Sequence, residues 1–261
     1  MHHEMLDHFA AGVSPIHRLD PAAKTVAALA VILATVLVGR DHFRPLIPLA
    51  AALVIYQAIA RVPVGYTARH LLLLSPLVLG IVGLFPLLEP GRALWAIPLG
   101  PWRIEITQAG LVRGGHLAAK CVLASWAAFL LMATTRFQDL LQALARLRVP
   151  RVLVIQLAFM YRYLWILADE VMRLRMARAA RDGGGGPWKM RMRSRVDLVG
   201  VLFVRTYDRA ERVYWAMLAR GFDGTMPATA TAPARPVDWA FAAMTVAAAL
   251  LLISADRCLY G

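Results

Sequence analysis

The chain of 261 residues is short of cysteine and of acid, and each shortage excludes something. Its two cysteines, Cys121 and Cys258, lie in apolar or terminal surroundings and share no ligand spacing. That excludes a disulfide framework and a thiolate metal site. Asp and Glu number 16 against 29 Lys and Arg, leaving a net charge of +13. No His-Glu-x-x-His helix, Gly-x-Ser-x-Gly elbow or Walker motif is present, so no catalytic constellation emerges. Residues 183–189 are glycine-rich, but no glycine directly precedes Lys189 and no Ser or Thr follows it. That stretch reads as a hinge and not as a phosphate loop. Asp169 and Glu170 are adjacent carboxylates, yet neighbours on a helix diverge by about 100° and cannot share one site. Pairing with Arg173, one turn on, is the expectation.

What the sequence has in abundance is apolar surface. The composition is 59% hydrophobic and 17% charged, with a mean hydropathy of +0.57. An ordinary soluble domain is less apolar than this. Apolar runs with an excess of Lys and Arg point to a polytopic membrane protein with basic cytoplasmic loops. An isoelectric point of 10.8 would also suit nucleic acid, but here long apolar runs alternate with the basic segments, which argues against a nucleic-acid partner. Residues 1–19 are polar and carry no cleavable signal.

Taken in order, the apolar runs are residues 25–39, 45–60, 71–88, 111–133 and 239–254. Asp20-Pro21 is a helix-start signal ahead of the first. The third carries Pro76 and Pro86. Residues 61–70 read as a polar connection, and residues 89–110 as a longer loop whose Trp95 and Trp102 suit a membrane interface. The expected fold class is therefore all-α: about five transmembrane helices and a cytoplasmic domain of amphipathic helices. The expected division is a four-span bundle over 1–133, a cytoplasmic domain over 134–237 and a last transmembrane helix over 238–261.

The middle division holds 18 of the 29 Lys and Arg. Phe137, Leu140, Leu141, Leu144 and Leu147 form one helical stripe. Pro150 marks a bend, and a long helix follows over 151–181. Its first half is apolar but contains Gln156 and Arg162; an Arg in such a stretch needs a partner, Asp169 or lipid phosphate. Parity argues that residues 152–168 lie at the bilayer surface, since both basic motifs then share one side with the N-terminus. Residues 189–195 are basic and suit lipid phosphates or an acidic partner. A third helix over 195–221 has an apolar face of Val199, Leu202, Phe203, Thr206, Ala210, Val213 and Met217, with an Asp208–Arg212 pair opposite.

That helix stops at Ala219-Arg220-Gly221-Phe222-Asp223-Gly224. Gly just past a helix end takes the left-handed conformation that other residues resist, and a cation in the last turn complements the helix dipole. The result is a guanidinium fork on a stiff tip. A partial copy lies upstream in Met176-Ala177-Arg178-Ala179-Ala180-Arg181-Asp182-Gly183. In both, an Asp-Gly follows a Met by six residues, as Asp182 follows Met176 and Asp223 follows Met217. Repetition favours two docking sites over two solvated helix ends.

These motifs, together with His17-Arg18-Leu19-Asp20-Pro21-Ala22-Ala23-Lys24 and Met160-Tyr161-Arg162-Tyr163, resemble the transmembrane T component of energy-coupling-factor transporters, of the CbiQ type from cobalt uptake systems. The resemblance covers essentially the whole chain. It departs at the first motif, where Ala179 replaces the expected Gly and Arg181 offers a rival to Arg178. It implies a scaffold in a prokaryotic cell membrane with a cytoplasmic N-terminus, no ATPase activity, no substrate site and no cofactor or metal of its own. It further implies two ATP-binding-cassette partners, docked through Ala177, Arg178, Ala179, Arg181, Ala219, Arg220 and Gly221, and a separate substrate-capture membrane subunit. Nickel or a vitamin is the alternative cargo. Two rival classes stand beside this reading. One is a membrane enzyme using Arg113, His116, Lys120 and Arg162 on lipid phosphates; the other is a metal binder using His2, His3 and His8.

Overall fold

A computed structural model describes residues 14–39, 43–88, 93–99, 102–182, 187–224 and 235–260. The elements are α1 (Pro21–Leu37), α2 (Leu46–Ala60), α3 (Val64–Leu73), α4 (Ser75–Leu88), β1 (Ala93–Leu99), β2 (Trp102–Thr107), α5 (Gln108–Thr134), α6 (Phe137–Arg146), α7 (Arg151–Asp182), α8 (Trp188–Ala219) and α9 (Pro236–Tyr260). They form two units. One comprises residues 1–143 with 232–261, and the other residues 144–231.

In the first unit α1 packs against α9 and α5, and α5 against α4 and α2. Small residues line these contacts: Ala22, Ala23 and Ala34 are fully buried, and Ala127, Ala242 and Ala249 nearly so. Small side chains let helix backbones approach closely, which is the main source of helix association where lipid surrounds the bundle. Gly114 shows the same logic, because a Cβ there would lie 3.2 Å from Cβ of Phe85. Leu49, Leu53, Leu123 and Leu130 fill the remaining space. One buried polar network ties three helices. The Trp126 indole donates to Gln57 Oε1 at 2.8 Å, and Gln57 Nε2 donates to Thr67 Oγ1 at 3.1 Å.

The ends of α1 are finished by side chains. Asp20 accepts from the Ala22 N–H at 2.7 Å, with Pro21 at the first helical position. At the other end Lys120 donates to the carbonyls of Val36 (3.2 Å) and Val38 (2.6 Å), and Asp256 accepts the Gly39 N–H at 2.6 Å. Asp20 at the N-terminal end and Lys120 at the C-terminal end carry the signs that the helix dipole favours, whereas Asp256 serves as an acceptor for a backbone N–H just past the helix.

Three expectations change. Residues 89–110 are not simply a loop: β1 and β2 form an antiparallel hairpin, pairing Ile97 with Ile104 and Leu99 with Trp102, and α5 begins at Gln108. The polar connection over 61–70 is largely α3. The third apolar run is broken at Leu74, where α3 and α4 bend by 52°. Pro76 explains the break, because it lacks the N–H that would bond back across the bend. Pro86, by contrast, sits inside α4 without ending it.

By length and apolar composition, α5, α7 and α9 each suffice to cross a membrane, and the bent α3–α4 pair together forms a fourth candidate. α1 and α2 are shorter apolar helices. The architecture is that of an all-α polytopic membrane protein, with the hairpin as its one β element among the described residues. α7 passes the same test as α5 although it was expected at the bilayer surface.

Candidate functional site

The second unit is built on the α7–α8 pair. Its strongest described link is Arg205 Nη1 to Glu170 Oε1 at 2.6 Å; Arg173 stands farther off, with Nε 3.9 Å from Oε2. The Arg205 hydrogen bond holds the Glu170 carboxyl below the usual carboxylate range. The expected local pair with Arg173 is thus secondary to a link between helices. Asp169 makes no described ion pair, and none joins Asp208 to Arg212 among the described residues. Arg162 is exposed, with no hydrogen bond or ion pair to another described residue.

α8 starts at Trp188, earlier than expected, because Pro187 supplies an extended cap. The basic stretch Lys189, Arg191, Arg193 and Arg195 is therefore part of the helix, and all four side chains are exposed. Leu198, Leu202, Thr206, Val213 and Met217 are half-buried at helical spacing. The expected face was broader. Val199 and Phe203 are exposed (62% and 69%), as is Ala210, and no residue of α8 is buried. Contiguous exposed apolar area of this kind marks a surface made for lipid or another protein.

The tip of α8 is specified by backbone geometry. Ala219 is the last helical residue and Arg220 the C-cap. Gly221 has φ +80°, its N–H donates to the Leu218 carbonyl at 2.9 Å, and the Phe222 N–H donates to the Met217 carbonyl at 3.0 Å. This pair of bonds is a Schellman motif, which satisfies carbonyls that a helix end otherwise leaves bare. Arg220 is exposed, and its guanidinium makes no hydrogen bond or ion pair with the described residues. Nothing described lies within 4 Å of where a Gly221 side chain would sit.

The upstream motif differs. α7 continues to Asp182, so Ala177, Arg178 and Ala179 lie within the helix, a turn before its end. Arg178 is half-buried and donates to the Arg191 carbonyl of α8 at 3.4 Å, whereas Ala177 and Ala179 are exposed. Arg181 occupies the last turn; its side chain lies outside the described residues, as do residues 183–186 of the expected hinge over 183–189, whose Trp188 and Lys189 belong instead to α8.

The residues of the rival readings fall elsewhere. His116 is buried, edge-on to Phe43 with ring centroids 5.3 Å apart, and Lys120 caps α1. Arg113 is exposed on the same helix, and Arg162 belongs to the second unit. His2, His3 and His8 lie outside the described residues. No cluster of three or more potential metal ligands occurs among those described.

A multi-pass helical body, with a unit whose apolar and basic surfaces stand open, is that of a polytopic membrane protein. The family described as CbiQ, cobalt transport protein, matches residues 12–230, and the chain belongs to that family. A membrane component of a transporter is not an enzyme, which removes the lipid-phosphate reading. The chain is 31% identical over 175 residues to a cobalt transport protein CbiQ of Rhodobacter capsulatus, covering 67% of each chain. It is 27% identical over 266 residues to an energy-coupling factor transporter transmembrane protein EcfT of Bacillus selenitireducens, covering 96% of this chain and 94% of the relative. A putative fused cobalt transport protein CbiMQ of Methanocorpusculum labreanum is 27% identical over 218 residues, which span 36% of the fused chain.

Proposed function

We propose that this protein is the energy-coupling scaffold of an importer, and that it passes movement from two cytoplasmic ATP-binding-cassette subunits to a separate substrate-capture subunit in the membrane. The observation that carries the proposal is the α8 tip, where a Schellman turn at Gly221 presents an exposed, unengaged Arg220 guanidinium. Arginine suits docking because its planar fork bonds a carboxylate bidentately. Arg178, or Arg181 as its rival, supplies the upstream contact, with Ala177, Ala179 and Ala219 keeping the approach to each Arg narrow. The apolar half of α7 lies at the cytoplasmic surface of a prokaryotic cell membrane, on the same side as the N-terminus, and its exposed side chains meet lipid. The cargo is cobalt, a reading supported by the names of the CbiQ relatives; nickel or a vitamin is the alternative.

The test is Arg220→Glu combined with Arg178→Glu, assayed by copurification of the ATPase subunits and by cobalt uptake. The expected result is normal membrane insertion with assembly or uptake severely reduced, because truncating or reversing one partner of a buried charge pair costs about 2–5 kcal/mol. Unchanged assembly and uptake would refute docking through these arginines. Uptake of biotin but not cobalt would refute the cargo alone.

A further inference from the structure

α8 carries a second apolar face that the docking scheme leaves unused. Turned by about 100° per residue, Trp188, Met192, Val196, Val199, Phe203 and Tyr207 fall within one arc of the helix. Each is at least 40% exposed. At about 1.5 Å of rise per residue, the six form a line about 28 Å long. Leu198 and Leu202, the half-buried leucines of the same stretch, lie off that line. The line is therefore not the face that α8 packs against α7.

Charge is sorted around this line. Lys189 and Arg193 lie about 50° and 90° from its midline on one flank, and Arg195 and Arg191 about 70° and 110° on the other. All four side chains are exposed, and none makes an ion pair or side-chain hydrogen bond with a described residue. Asp197, the one carboxylate in residues 188–207, lies about 130° round from the midline. It interrupts the far face, where it stands among Met190, Val201 and Val204. An apolar stripe with cations along both edges is the pattern of a helix lying in the plane of a membrane surface. Its apolar side chains point toward the acyl chains, and its cations reach the level of the phosphates. An acidic groove on a protein would need an apolar floor between two acidic walls, whereas an anionic bilayer surface presents both layers everywhere.

We propose that this face of α8 binds anionic phospholipid, with Lys189, Arg191, Arg193 and Arg195 on the headgroup phosphates and the line from Trp188 to Tyr207 in the acyl boundary. Anionic lipids of a cytoplasmic leaflet attract basic clusters of this kind. The inference goes beyond the coupling reading, which assigns this face nothing, and shares with it only the side of the membrane.

In the test, an environment-sensitive fluorescent amino acid replaces Val196, on the line, or Val201, about 170° from its midline. The full chain is reconstituted into vesicles of phosphatidylcholine, alone or mixed with phosphatidylglycerol. Emission from position 196 is expected to shift to the blue as phosphatidylglycerol is added and to return as salt is raised. Emission from position 201 is expected to stay constant. Arg195→Gln should raise the phosphatidylglycerol fraction that gives half the shift about fivefold, the effect of one cation near an anionic surface. No shift at 196, equal shifts at both positions, or an unchanged response in Arg195→Gln overturns the proposal. So does a polypeptide adduct, in place of a lipid adduct, from a photo-crosslinking amino acid at 196 in the complete complex in native membranes. The vesicles contain no ATPase, so their outcome is independent of the coupling reading, which stands or falls on copurification.

Discussion

Gly221 is where one residue's geometry decides the most. Its φ of +80° is open to glycine and resisted by every L side chain. Gly221→Ala meets no steric neighbour, so any effect comes from backbone strain of about 1–2 kcal/mol. The expected outcome is a frayed α8 tip with weaker ATPase assembly and an unchanged level in the membrane, read by copurification against total protein. The residue type made this position legible, because an Arg followed by Gly at the end of an amphipathic run has one common backbone solution. The upstream copy was less legible for the converse reason. With Ala179 in place of glycine nothing stops the helix at Arg178, and α7 runs on to Asp182. The pairing of Glu170 was misjudged because spacing along a helix names local partners only. Arg205 is 35 residues away in sequence.

Among the elements, α7 and α8 are joined by an exposed ion pair between Glu170 and Arg205. The Glu170 carboxyl titrates below its ordinary range because Arg205 bonds the charged form. A group with a lowered folded pKa contributes fully above its unfolded value and loses that contribution as pH falls through the folded one. Cross-linking between cysteines placed on α7 and α8 should therefore decline in the acid range, modestly and less at high salt, as exposed pairs do. Glu170→Gln should remove the pH dependence, and a decline that persists in that variant would assign it to another group. The α4–α5 contact is tested by Gly114→Val. A branched side chain where a Cβ already meets Phe85 at 3.2 Å should cost about 1–3 kcal/mol by overpacking, seen as a lower melting temperature in detergent. Apolar periodicity revealed most helices. The hairpin was only half legible: β2, Trp102-Arg103-Ile104-Glu105-Ile106-Thr107, alternates apolar and polar as a strand does, whereas β1, Ala93–Leu99, shows no alternation and carries Pro98. Periodicity could not place the break at Leu74, since an apolar run reads the same whether its helix is straight or bent.

At the scale of the whole molecule, the chain divides its tasks between two units. The first is a bundle with alanine-lined contacts, in which side chains finish the ends of α1. The second has almost no interior of its own: α8 buries no residue, and Val196, Phe203, Tyr207 and Trp215 are each more than 60% exposed. Its apolar surface far exceeds what the α7–α8 contact covers, which fits a part completed by lipid and by other chains. Composition conveyed this much, since high hydropathy joined to excess positive charge is the mark of membrane helices connected by basic cytoplasmic segments. What it could not convey is which apolar helix crosses the bilayer, because α7 and α5 satisfy the same length and hydropathy test. The central claim is mechanical, that the arginine at the end of α8 sits in a groove of an ATPase subunit. Its most direct test places a photo-crosslinking amino acid at position 220 in the assembled complex, with and without nucleotide. The account predicts an adduct with the ATPase whose yield changes with nucleotide; an adduct with lipid or none at all, in every nucleotide state, would contradict it.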